Sequence, residues 1–116
     1  MTSQDEKTPR NKPNSETLHL VRSLRRILST RLGVPVKVKL FGSQARGTAT
    51  EESDIDVLVV LPDLRNCTLD TALEAAWEVG FNGGKVISIV PATKEELQQL
   101  SASPFFQAVA REGFAV

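Results

Sequence analysis

Residues Val57 to Leu61 read Val-Leu-Val-Val-Leu, follow Asp56 without a polar interruption and stop at Pro62-Asp63. A strand with one wet face alternates apolar and polar residues. An uninterrupted apolar run of strand length belongs instead to a central strand covered on both faces. The chain must therefore bring covering elements to both sides of this segment. Upstream, Val36, Val38 and Leu40 alternate with Lys37 and Lys39, which predicts a neighbouring strand with one buried and one wetter face, ending near Phe41.

The covering elements are legible as helical periods. Leu18, Val21, Leu24, Leu28 and Leu32 recur every three or four residues, predicting a first helix capped by Asn14 or Ser15 and ended by Gly33-Val34-Pro35. Arg22 and Arg26 fall on its far side and Arg25 nearer the stripe, as a solvated face. Leu69, Leu73, Ala76 and Trp77 predict the buried stripe of a second helix, with Trp77 in the core and closure at Gly80 and the Asn82-Gly83-Gly84 turn. Val86 to Val90 predicts a third strand, stopped by Pro91. Thr93 with Glu96 forms a capping box for a third helix, and Ser103-Pro104 an N-cap followed by proline at the first helical position. Phe105, Phe106, Val109 and Ala110 supply the buried side of that last helix, and Phe114 to Val116 a short edge strand. Strands interleaved with helices specify an α/β (α+β) domain, a small mixed β-sheet backed by helices.

A chain of 116 residues suits one domain with a genuine core. That domain is expected over residues 15–116. Residues 1–14 are polar, with too little apolar surface to offset ordering entropy, and are expected to form a flexible tail. Fourteen basic side chains balance 14 acidic ones, which removes the global electrostatic case for nonspecific nucleic-acid or membrane binding. Cys67 is the only cysteine, so an internal disulfide and a cysteine-rich zinc site are excluded. No segment has the pattern of a signal peptide or a membrane span, and a cytoplasmic location is expected. A second substrate domain does not fit in this length, so any larger surface must come from a partner, in a homo- or hetero-oligomer.

The chemistry-bearing stretch is Phe41-Gly42-Ser43-Gln44-Ala45-Arg46-Gly47, then five residues, then Ser53-Asp54-Ile55-Asp56-Val57. It joins the ends of the first two strands. A glycine at a strand exit lets backbone approach a phosphate, and the amides and serine hydroxyl that follow can donate to its oxygens. Two aspartates separated by one residue on a strand project from the same face, where their oxygens can converge on a hard cation such as magnesium. The bland reading is an ordinary loop and two aspartates that merely begin a strand.

Gly42-Ser43, ten intervening residues, then Asp54-x-Asp56 between two strands resembles the signature of the minimal nucleotidyltransferases, a branch of the DNA polymerase beta-like nucleotidyltransferase superfamily. Arg46-Gly47 and Ser53 match its usual form too. The resemblance implies a palm-like fold in which Gly42, Ser43, Arg46 and Ser53 form the nucleotide-binding loop for ATP or another nucleoside triphosphate. It makes Asp54 and Asp56 the catalytic carboxylates and the ligands of Mg2+. It further implies transfer of a nucleoside monophosphate to a hydroxyl on a partner, as stand-alone members do with helical HEPN-type toxins, by adenylylating a tyrosine. A noncatalytic antitoxin acting by stoichiometric binding is the alternative.

One departure stands out. The family adds a third carboxylate from a neighbouring strand, whereas Lys85-Val86-Ile87-Ser88-Ile89-Val90 contains none and has Ser88 at its middle. A neutral hydroxyl is a far poorer magnesium ligand and no general base near neutral pH. Asp63, Asp70 or Glu74 would have to fold inward to replace it. His19 is expected to be an ordinary helix residue.

Overall fold

The structure, a computed structural model, describes residues 13–50 and 52–116. The expected tail lies outside the described residues up to position 12. Pro13 is buried and Asn14 caps the first helix, so these two belong to the folded part. The Asn14 side chain accepts the Thr17 N–H at 2.8 Å and opens α1 (Ser15–Leu32), which ends at Gly33 in the left-handed region. Val21, Leu24 and Leu28 on its inner stripe are fully buried, each stabilising the fold by about 1.5–3 kcal/mol relative to exposure.

After α1 come β1 (Lys37–Phe41), α2 (Gly42–Arg46), β2 (Ile55–Val60), α3 (Asn66–Gly83), β3 (Ile87–Ala92), α4 (Lys94–Gln99), α5 (Pro104–Glu112) and β4 (Phe114–Ala115). The strands form one mixed sheet in the order β3-β2-β1-β4. β1 runs antiparallel to β2 and β4, and β2 pairs parallel with β3 through the α3 crossover. The apolar run is thus an interior strand, as its composition requires. Ile55, Val57 and Val59 point into the larger core under α1 and α3, while Leu58 joins a smaller cluster with Ala92 and Val109 on the α4–α5 side. The mixed sheet backed by helices agrees with the expected fold class. None of the described helices is long and apolar enough to cross a membrane.

The Thr93–Glu96 capping box forms in both directions, and the Ser103 side chain accepts the Phe106 N–H at 3.2 Å ahead of α5. Four expectations are overturned. On α3 the buried residues are Thr68, Ala72, Ala75, Ala76, Val79 and Gly80, whereas Leu73 is 55% and Trp77 67% exposed. The reason is close approach: small residues let the helix axis sit low on the sheet, and a Cβ added at Gly80 would come within 2.5 Å of the Lys85 carbonyl oxygen. Gly80 therefore lies within α3 and does not close it; the helix runs on to Gly83 with Gly84 as its C-cap. The large side chains turn outward.

Pro91 does not stop β3 either. Ile55 N–H donates to the Val86 carbonyl and Leu61 N–H to that of Ala92, so even-numbered residues of β3 bond to β2. Pro91 faces the open edge, where its missing N–H costs no ladder bond. On α5 only Val109 is buried; Phe105 and Ala110 are exposed, and Phe105 lies edge-on to Phe41 with ring centroids 5.5 Å apart.

Candidate active site

The β1–β2 connection folds as one helical turn, α2, because Gly42 takes φ +74° and turns the chain out of β1. The left-handed region is open to glycine at little cost. The same glycine faces Asp56: a Cβ added at Gly42 would lie 2.6 Å from Asp56 Oδ2. The carboxylate thus occupies the space where any other residue would put its side chain. Ser43 follows in the first turn of α2, and its carbonyl accepts the Thr48 N–H at 3.0 Å.

Asp54 is exposed just before β2, and Asp56 is half-buried at its second position. One intervening residue puts both on the same side of the sheet. Burial pushes the Asp56 carboxyl above the usual range, the charge of Asp54 adds to that shift, and Arg46 opposes it. Two carboxylates on one side of the sheet, one of them costly to ionise, suit a hard dication taking its remaining ligands from water and phosphate oxygens. Among the described residues no group of three or more His, Cys, Asp and Glu comes together as a metal site.

The sheet register explains what the third strand contributes. Phe41, Asp56 and Ser88 are register partners across β1, β2 and β3, so Ser88 sits beside Asp56 on the same face. The three substitutes weighed from the sequence do not fold inward. Asp63 lies past the far end of β2, where the Thr68 hydroxyl and the Arg65 N–H and guanidinium hold it at about 2. Asp70 and Glu74 are exposed on α3.

Arg46 pairs with Glu112 of α5 at 3.4 Å while its charge still reaches Asp56. Ser53 Oγ accepts the Thr50 N–H at 3.0 Å, which shapes the loop into β2, and Ser53 lines a cavity of about 480 Å3 with Asp54, Phe81, Lys85 and Val86. Two residues escaped the sequence reading. Glu112 is 66 positions from its partner, and no local pattern marks it. Gln44 is buried: its Nε2 donates to the Ser53 carbonyl at 3.4 Å, and its Oε1 accepts the Thr17 hydroxyl at 3.1 Å. It ties α1, α2 and the loop before Asp54 together. Gln44→Ala leaves those buried groups unmet and is expected to lower stability by about 1–3 kcal/mol in urea unfolding; a loss below a few tenths would refute this tie.

The profile of the nucleotidyltransferase domain family matches residues 21–110. A "Putative protein adenylyltransferase" of Methanocaldococcus jannaschii is 34% identical over 77 residues, which cover 66% of this chain and 73% of that protein. Bifunctional uridylyltransferase/uridylyl-removing enzymes of Burkholderia orbicola and Burkholderia vietnamiensis are each 34% identical over 73 residues, 58% of this chain. The matched stretch is only 8% of the length of those two enzymes.

Proposed function

Because this chain belongs to the nucleotidyltransferase domain family, we propose that it transfers a nucleoside monophosphate from a nucleoside triphosphate, ATP foremost, to a hydroxyl on a partner protein. The observation that carries this reading is the contact of Gly42 with Asp56, which sets an open-backbone turn directly against a carboxylate. Gly42 and Ser43 hold the triphosphate, with Arg46 and Ser53 at the edges of the same loop. Asp54 and Asp56 would hold Mg2+, which when bound neutralises charge on the transferring phosphoryl group. The acceptor oxygen forms its bond to the α-phosphorus as the bond to pyrophosphate breaks, and the acceptor proton passes to solvent. Ser88 cannot take that proton. The partner, by family resemblance, is a helical HEPN-type toxin.

Ser88 beside Asp56 also favours a second reading, in which the chain binds nucleotide and partner without turnover. Incubation with α-labelled ATP, magnesium and the co-expressed partner separates the two. Label on the partner supports transfer; no label with any nucleotide or divalent metal refutes it. Within the transfer reading, Ser88→Asp supplies a carboxylate next to Asp56 and is expected to raise the rate about tenfold, a modest share of what a positioned base contributes. A variant rate at or below wild type, with the fold intact by circular dichroism, would show that Ser88 is not what limits the reaction.

A further inference from the structure

Beside the candidate site, a cavity of about 610 Å3 runs between the outward side of α3 and the first residues of β3. Trp77 and Phe81, 67% and 70% exposed, stack nearly parallel there with centroids 5.1 Å apart. Leu73 and Val86 extend the apolar surface. A clustered apolar surface of this kind marks an interaction site more often than an idle face.

The opposite wall has a different chemistry. Among the described residues β3 is an edge strand, and its odd-numbered residues turn their backbone groups away from β2. Pro91 has no N–H to offer, but Ile87 and Ile89 each present an N–H and a carbonyl along the open edge. The groove thus has one wall of aromatic side chains and one of strand backbone. A helix laid into it could cover the rings but, with its own backbone bonds internal, could not meet the strand edge. An extended chain meets both walls. A second copy of α3 suits the groove poorly, because Glu74 lines it and α3 carries no basic residue to meet that charge, so paired α3 faces would set the two Glu74 side chains together.

We propose that the α3–β3 groove captures an extended segment of the acceptor protein as a fifth strand along β3. Its apolar side chains lie on Leu73, Trp77 and Phe81, and a basic side chain faces Glu74. Naming the segment as the acceptor's rests on the transfer reading; the groove as a peptide site does not. Phe81, Lys85 and Val86 line both this groove and the cavity that reaches Asp54. A hydroxyl side chain at that end therefore approaches the carboxylates from the β3 side of β2, with Gly42 and Ser43 on the β1 side.

The probe is a set of tryptophan-free dodecapeptides selected by phage display on the intact protein and then synthesised. Trp77 is the only tryptophan, so its emission reports occupancy directly. Selected peptides are expected to alternate apolar and polar residues, shift that emission and slow amide exchange at Ile87 and Ile89. Leu73→Ser and Phe81→Ser, both exposed in the fold, should weaken binding roughly tenfold or more with the melting temperature retained. The Asp54→Asn, Asp56→Asn double variant should bind peptide as wild type does, so loss of transfer and loss of docking are read separately. Emission shifts without exchange protection at Ile87 and Ile89 would overturn strand addition in favour of a helical occupant. Failure to select any binder, or an emission change driven by protein concentration alone, would overturn the peptide site.

Discussion

Asp56→Asn should reduce the proposed nucleotidyl transfer by roughly a thousandfold while leaving the protein folded, because it removes one of the two carboxylates that would hold the divalent cation neutralising charge on the transferring phosphoryl group. The same substitution should hold or raise the melting temperature at pH 7 without divalent cations. Asp56 is more costly to ionise in the fold than in the unfolded chain, owing to burial and then to Asp54. A carboxyl group raised in this way opposes folding from the pH at which the unfolded group ionises, near 3.8, upward. The cost is complete above the folded value and absent at lower pH. The variant's thermal advantage should therefore appear at pH 7 and vanish near pH 3. Loss of activity with gained stability identifies a group kept for chemistry; transfer within tenfold of wild type would rule Asp56 out as a reacting-site carboxylate.

Gly42→Ala carries the second large effect, through two separable causes. The alanine must adopt φ +74°, and its Cβ meets Asp56 Oδ2 at 2.6 Å. The backbone alone should cost about 1–3 kcal/mol. Displacing the carboxylate by even a fraction of the required clearance should lower transfer about a hundredfold. Gly33→Ala is the matched control, with φ +71° and nothing within 4 Å of the added Cβ. Both variants should lose comparable stability in denaturant unfolding, and only Gly42→Ala should lose transfer. Equal activity in the two would mean that Asp56 tolerates displacement and that the Gly42 contact is not part of the site.

Local grammar in the chain was sufficient for much of this molecule. The alternation of Val36, Val38 and Leu40, the apolar run after Asp56 and the Asn14, Thr93 and Ser103 caps all act over a few residues or one turn. Hydrogen bonding and side-chain period decide such features before any tertiary contact forms. The interior position of β2 was legible for the same reason: only a strand covered on both faces can carry five apolar residues in a row.

Tertiary structure alone decided the rest. Hydrophobicity pointed Leu73 and Trp77 of α3 inward, but the sheet received the helix on its small side, since Ala72, Ala76 and Gly80 permit an approach that large side chains prevent. The partners of Arg46 and Gln44 lie 66 and 27 positions away, beyond the reach of any sequence period. Ser88 was readable as a departure from a pattern, but its place beside Asp56 came from the parallel register of β2 and β3. Candidates for the chemistry could be proposed from the chain; which groups stand next to them, and which apolar face stays open, depends on how whole elements pack.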